Sequence, residues 1–288
     1  MKKGIVLLIF AAMIIGSSCA QKHQTKTSWE LDGLKGKVKS LRTITYEAID
    51  TLGKIAKGNI VDNVYGSILI NYNRKGGWIE YRSYTPAGKN RWAEIPSFDE
   101  KGNRMERRDY IFSESDSTLH RRYSNKYDNK GNLTTAFLYN ASDSLIWKRS
   151  YVYDNKGNET EICSYNATDI LNWKVICAYD SKSNLIEENV YSASGNLDSK
   201  TIYKYDSKGN RIEQCGYKSD DSLESKTTYQ YDENGFQVEV CKYNADGKLD
   251  KRFAYKYKYD TKGNWIEKID YKDDVAVRIY ERKIEYYK

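Results

Sequence analysis

Histidine and proline are nearly absent from this chain: among 288 residues there are 2 of each, with 3 Met and 6 Phe. His23 and His120 stand far apart, so a His-rich metal site or a His-assisted nucleophile has little to be built from. No glycine-rich phosphate cradle and no nucleophile elbow is present. These gaps argue against an enzyme and against any bound cofactor or metal. Few purely aliphatic side chains are available for a thick core, yet 27 Tyr are too many for a disordered chain. Tyr and β-branched residues suit a pleated, half-buried surface. An all-β protein with a thin core is expected. The 47 basic and 40 acidic residues give a net charge of +7. They are interspersed, without the basic stripe of a nucleic-acid surface, so nucleic acid is not expected as a partner.

Long apolar runs are also scarce, and the one at the start is short. Met1-Lys2-Lys3 is followed by an apolar run from Ile5 to Ile15 and by Gly16-Ser17-Ser18-Cys19-Ala20. A basic start, an apolar middle and a small-residue end read as an export leader. The run is too short for a membrane helix, which needs about 20 apolar residues. Two cleavages are open. One makes Cys19 the first residue and resembles a bacterial lipoprotein signal, in which that thiol is lipidated. The other cuts after Ala20. Residues 1–19 are therefore expected as the signal, 20–32 as a polar tether and 33–288 as the folded domain. The protein is expected as an outer-membrane or periplasm-facing lipoprotein, or otherwise periplasmic or secreted. A lipid anchor would be its one contact with a membrane.

Repetition dominates the rest. An aromatic residue followed by Asp or Asn recurs at Tyr72, Phe98, Tyr127, Tyr153, Tyr179, Tyr205, Tyr231 and Tyr259, with spacings of 26, 29, 26, 26, 26, 26 and 28. Tyr84, Tyr110, Tyr139, Tyr165, Tyr191, Tyr217, Tyr243 and Tyr271 follow these by 12 residues each. Such a period marks a stacked repeat unit. Each unit reads as two strands and two turns. In Tyr205-Asp206-Ser207-Lys208-Gly209-Asn210 the Asp can bond back to the turn amides, and Gly209 can take positive φ. Ser183 replaces that Gly in one copy.

About eight hairpins cover residues 65–271, with opening and closing cap strands at 33–48 and 275–287. About eighteen strands then form a single antiparallel meander, expected to coil or partly roll up because sheets of that width twist. A simple hairpin register sets Tyr205 against Arg211, Tyr203 against Glu213, Thr201 against Cys215 and Cys163 against Trp173. It puts Tyr203 and Glu213 on one face. The column Glu80, Glu106, Glu161, Glu187, Glu213, Glu239 and Glu267 then reads as cross-strand partners. Cys163, Cys177, Cys215 and Cys241 are expected as unpaired thiols, because Cys215 and Cys241 stand two strands apart, about 9.6 Å, beyond disulfide reach.

The chain resembles the RHS or YD-repeat family at Tyr-Asp-Asn-Lys-Gly-Asn from Tyr127 and from Tyr153, at Tyr-Asp-Ser-Lys-Gly-Asn from Tyr205, at Tyr-Asp-Glu-Asn-Gly from Tyr231 and at Tyr-Asp-Thr-Lys-Gly-Asn from Tyr259. The resemblance implies hairpins wound into a hollow shell, and a cell-surface or carbohydrate-binding role. The chain also looks somewhat like the MORN-like hairpin repeats of certain antitoxins. The expected function is a non-catalytic binding or interaction scaffold at the cell envelope, with a protein or glycan partner. The rival is a carbohydrate-binding module that uses Tyr151, Tyr203 and Tyr229, whose rings can stack on sugars or simply cover a thin sheet. Asp-Ser/Thr-apolar triplets at Thr51, Ser117, Ser144 and Ser222 resemble bacterial O-glycosylation sites.

Overall fold

In a computed structural model, residues 28–113 and 116–288 are described; the expected leader and its Cys19 lie outside them. After a helical turn at Ser28–Leu31 (α1), the chain is a run of strands: Val38–Thr51 (β1), Lys54–Ile60 (β2), Ser67–Tyr72 (β3), Trp78–Tyr84 (β4), Asn90–Phe98 (β5) and Arg104–Phe112 (β6). Then come Ser117–Tyr127 (β7), Leu133–Asn140 (β8), Leu145–Tyr153 (β9), Glu159–Asn166 (β10), Leu171–Tyr179 (β11), Leu185–Ser192 (β12) and Leu197–Tyr205 (β13). Arg211–Lys218 (β14), Leu223–Tyr231 (β15), Gln237–Tyr243 (β16), Leu249–Tyr259 (β17), Trp265–Lys272 (β18) and Val275–Tyr286 (β19) complete it.

The turn chemistry explains the strand spacing. In the Tyr-Asp turns the Asp206 carboxylate accepts the amides of Lys208 and Asn210, and its second oxygen accepts the Asn210 side-chain amide at 2.9 Å. Gly209 closes the turn at φ +85°. Ser183 is held at φ +66° at the equivalent place, a conformation that costs an L residue roughly 1–2 kcal/mol. The two extra residues that make the last spacing 28 only lengthen β17. Side-chain parity survives, and Tyr257 takes the role that Tyr231 plays one repeat earlier, its hydroxyl donating to the Gln237 carbonyl.

Each β-strand from β3 to β19 pairs antiparallel with the next. β1 then joins the two ends. Ser40 lies between Asn71 of β3 and Glu285 of β19, and the ladder continues through Leu41 to Ile44 on both sides. The meander is therefore a closed ring of eighteen strands, β1 with β3 to β19, and β2 extends beyond β3 along the far half of β1. The expected coiled or partly rolled open sheet is corrected to a closed barrel, which removes both unpaired edges. Following the register once round the ring comes back roughly 20 residues earlier on β13, a tilt of about 40° and a backbone radius of about 18 Å at usual strand spacings.

The register also corrects the expected faces. A one-residue bulge follows each turn. Tyr205 opposes Arg211, but Lys204 then opposes Glu213 and Tyr203 opposes Gln214. One extra residue exchanges the faces of everything beyond it, so Tyr203 and Glu213 point to opposite sides. Cys215 opposes Ile202, and Trp173 opposes Ser164 rather than Cys163. Cys163, Cys215 and Cys241 are free thiols as expected, but Cys177 is disulfide-bonded, which corrects the expectation of four unpaired thiols.

Handedness fixes which side is inside. Asp206 bonds across to Asn210, so the amides of Tyr203 and Tyr205 face β12. For L residues in right-handed barrel strands, that sense and the stagger place the Tyr203 side on the inner wall. Burial agrees: Tyr203, Ile162, Val175, Cys177 and Leu185 form a buried cluster on that side, whereas Val152, Ile176 and Ile212 on the other side are exposed. A second cluster of Leu34, Val38, Leu41 and Tyr72, with Trp29 from α1, covers the seam where β1 closes the ring. Residues 28–32, expected as tether, thus pack onto the barrel.

Candidate functional site

The two walls differ in how their charges are held. On the outer wall many cations meet carboxylates, while Lys126, Lys174 and Lys256 lie over rings. Glu213 accepts from Lys204 and Lys226 at 2.7 and 2.6 Å, and Lys258 bonds Glu267 at 2.7 Å. Arg122 pairs with Asp143, Lys200 with Asp221 and Lys148 with Asp169. Of the Glu column, Glu106, Glu213, Glu239 and Glu267 form cross-strand ion pairs and Glu80 accepts from Asn71 across the strands, whereas Glu161 and Glu187 accept from Cys163 and Asn189 on their own strands. The column also puts charge through the middle height of the outer wall.

The inner wall is aromatic and cationic. Trp78, Trp92, Trp147, Trp173 and Trp265 all point inward by register. Arg149 lies over Trp147 at 4.4 Å and over Trp173 at 5.1 Å. Arg211 lies over Tyr203 at 5.5 Å and Tyr229 at 5.0 Å. Arg104 stacks on Trp78 at 5.9 Å and Arg282 on Trp265 at 3.4 Å. None of these four guanidinium groups forms an ion pair with a described residue. Burial holds Arg282 down to about 10, still charged at neutral pH. Two inner groups are neutralised instead. Arg107 bridges Glu94 at 3.0 Å and Asp109 at 2.9 Å, and Lys268 bonds Asp270 at 2.8 Å. Loss of water around Asp109 raises its carboxyl to about 6 despite Arg107.

The inner Tyr residues are largely occupied. The hydroxyls of Tyr153, Tyr205 and Tyr231 each reach a backbone carbonyl 20 residues earlier, of Leu133, Leu185 and Arg211. That bond explains the aromatic half of the Tyr-Asp repeat: the ring spans two strands and pins them together. Of the three expected ligand-face residues, all are on the inner wall. Tyr203 is only 3% exposed and belongs to the core. Tyr151 and Tyr229 are half-buried, and Tyr229 donates to Gln214 at 3.2 Å. Thr51, Ser117, Ser144 and Ser222 are all exposed, at the rim opposite the Tyr-Asp turns. The Thr51 hydroxyl donates to the Lys54 carbonyl and that of Ser222 to Asp220. Among the described residues no group of three or more His, Cys, Asp or Glu side chains is placed to hold a metal ion.

Sequence reasoning missed the inner Arg–Trp layer. A signal was there: Trp147 and Trp173 stand one 26-residue repeat apart, with Arg149 two residues after the first. Without the bulges, their shared face could not be assigned.

A family model described as "Uncharacterised protein" matches residues 94–256, more than half of the chain. No curated protein matches. Among solved structures the chain is similar to a porin-like protein from Bacteroides uniformis, with 9% identity over 87% of this chain and 98% of that one and a TM-score of 0.45. It is similar to a porin-like protein from Bacteroides vulgatus, with 11% identity over 88% and 99% and a TM-score of 0.33. It is also similar to the Tc holotoxin pore of Photorhabdus luminescens, with 11% identity over 82% and 18% and a TM-score of 0.23. These scores are low, and the ring closure rests on this chain's own strand pairings. The family match and the closure together correct the resemblance to the RHS or YD-repeat family: the hairpins close on themselves within this one chain and do not wind on as a shell.

Proposed function

The chain belongs to the family described as "Uncharacterised protein", and we propose that it is a non-catalytic binding protein of the cell envelope that takes an anionic ligand against its inner wall. One contrast carries this reading. Lys204, Lys226, Lys258, Arg122, Lys200 and Lys148 outside are paired with carboxylates, and outer Lys126, Lys174 and Lys256 stack on rings on the convex face. Arg104, Arg149, Arg211 and Arg282 on the concave wall instead stack on rings with no carboxylate partner among the described residues. The inner cations, with Arg107, Arg121 and Lys268, outnumber the inner carboxylates Glu94, Asp109, Glu159, Glu188 and Asp270, and a concave, weakly solvated surface with an excess of one sign concentrates ions of the other. The envelope location is supported by the expected leader at residues 1–19, with anchoring through Cys19 if the lipoprotein cleavage is used. The outer wall favours water over lipid. A Lys facing the middle of a bilayer costs about 2–4 kcal/mol, and Lys204, Lys226 and Lys258 all face outward with their glutamates.

The trisulfonated dye pyranine tests the reading by fluorescence polarisation. The dye is expected to bind the wild type in a salt-sensitive way. Changing Arg104, Arg149 and Arg211 together to Gln should weaken binding by about tenfold or more, as loss of charge-assisted contacts does. Changing outer Lys200 and Lys226 to Gln should leave it unaltered. Loss of binding in the outer variant and not in the inner one would reject the inner wall as the site.

A further inference from the structure

Among the unpaired inner cations, Arg149 is the most fully framed. It sits at mid-strand on β9, opposite Ala136 of β8 and Ser164 of β10. Neither neighbour offers a negative charge. Trp147, two residues before it on β9, and Trp173, one strand beyond Ser164, cover the guanidinium from two sides at 4.4 and 5.1 Å. The Nε is buried and has no hydrogen-bond partner, and the Tyr151 hydroxyl lies beside the group. Trp147 is braced in turn by Tyr123, whose ring meets it edge-on at 6.3 Å, and Arg107 packs on the Tyr123 ring at 4.0 Å. The Trp147 indole is therefore fixed by a chain of inner-wall contacts that ends in the Arg107 ion pairs, and Trp173 packs against the core cluster of Ile162 and Val175.

An unpaired guanidinium stripped of water on two sides is costly unless an anion completes it. The three parts also specify the anion's body. Guanidinium geometry matches a carboxylate through paired N–H donors. Indole edges and a phenol hydroxyl beside it suit a flat ring that presents C–H groups and hydroxyls. Resting on the reading of the inner wall as the binding surface, we propose that Trp147, Arg149, Tyr151 and Trp173 form a subsite for a uronate sugar within an acidic oligosaccharide. The carboxylate takes the Arg149 donors, and the sugar ring lies along the indoles. With a backbone radius of about 18 Å and side chains reaching about 6 Å inward, the barrel leaves a passage of roughly 20 Å or more, wide enough for a single glycan chain. Arg211, with Tyr203 and Tyr229, repeats the cation–aromatic arrangement five strands further round, so a chain of uronates can engage more than one cation, with a gain from linkage.

The test is isothermal titration of the full chain with hexagalacturonate, its methyl ester and a heparin hexasaccharide. Hexagalacturonate is expected to bind the wild type, and Arg149→Gln to weaken it by roughly tenfold or more. Trp173→Leu should weaken it as well, and outer Lys200→Gln should not. The neutral methyl ester is expected not to bind. Retained pyranine binding by Arg149→Gln, through the remaining inner cations, shows that this variant is folded. Four results overturn the proposal: unchanged affinity in Arg149→Gln, equal binding of the methyl ester, binding of the heparin fragment alone, or no uronate binding by protein that still binds pyranine. The last of these leaves the inner wall standing as an anion site and removes only the sugar. Loss of pyranine binding from the wild type would instead remove the broader reading.

Discussion

Replacing Tyr72 with alanine is expected to lower the unfolding free energy by about 3–5 kcal/mol, the usual range for removing a large buried aromatic side chain. Tyr72 is 1% exposed and sits at the seam, packed with Val38, Leu41 and Trp29. Its hydroxyl donates to Asp32 at 2.7 Å, tying the α1 segment to the first hairpin. Asp32 is itself held above its ordinary range by burial, so it has little tolerance for losing that donor. Tyr72→Phe keeps the ring and removes the donor, and should cost about 1–3 kcal/mol. Urea unfolding followed by Trp fluorescence checks both. A loss in Tyr72→Ala no larger than in Tyr72→Phe would mean that the ring is not packed as described. The seam matters more than an equivalent site elsewhere, because β1 is the strand that bonds to both ends of the meander.

The second large effect concerns Asp109. It is 2% exposed, faces Glu94 across the strand pair and is bonded by Arg107 with Arg121 opposite. Desolvation is the main cause of its rise to about 6, with Arg107 opposing and Glu94 adding to it. The folded state thus holds the proton more tightly than the unfolded chain, where the carboxyl titrates near 3.8. The resulting stability is fully present below about pH 4 and is lost as pH rises through about 6, by up to about 3 kcal/mol. Asp109→Asn lacks that titration. Its stability relative to wild type is expected to improve as pH rises from 4.5 to 7.5, read from urea midpoints at each pH. A wild type that gains on Asp109→Asn over this range would show that the Arg107 ion pair outweighs burial.

Much of the architecture was legible in the sequence, and particular residues show why. The Asp206–Asn210 pair and Gly209 announce the turn, and their recurrence gives the strand number to within one. Tyr205 and its equivalents mark the period because each hydroxyl must reach a fixed carbonyl 20 residues back. Closure was not legible. Pairing Ser40 with Glu285 depends on the summed twist and stagger of all the intervening strands, which no local pattern encodes. Faces failed for a smaller reason. The bulge residue Ile212 looks like any β-branched strand residue, yet it shifts Glu213 to the outer wall and leaves Tyr203 inside. That single offset decided the site. With Tyr203 and Glu213 on one side, both faces look mixed. With the bulges in place, most carboxylate-paired cations lie outside, and Arg104, Arg149, Arg211 and Arg282, stacked on rings without an ion pair among the described residues, lie inside. Tyr153, Tyr205 and Tyr231 fasten neighbouring strands, whereas Tyr151 and Tyr229 stand beside the inner Arg residues that, with the Trp rings, carry the site.

Closure of the ring through β1 underlies every statement about an inner wall, and paired cysteines at the seam test it directly. Ser40 opposes Glu285 on one side and Asn71 on the other, all on the outer wall. In a chain with Cys163, Cys215 and Cys241 changed to Ser, two variants are oxidised under mild conditions: Ser40→Cys with Glu285→Cys, and Ser40→Cys with Asn71→Cys. Non-reducing peptide mapping should find the designed disulfide in both, since the same residue of β1 has a neighbour on each side. Linkage in one variant and none in the other would mean that β1 has a single partner and the sheet is open.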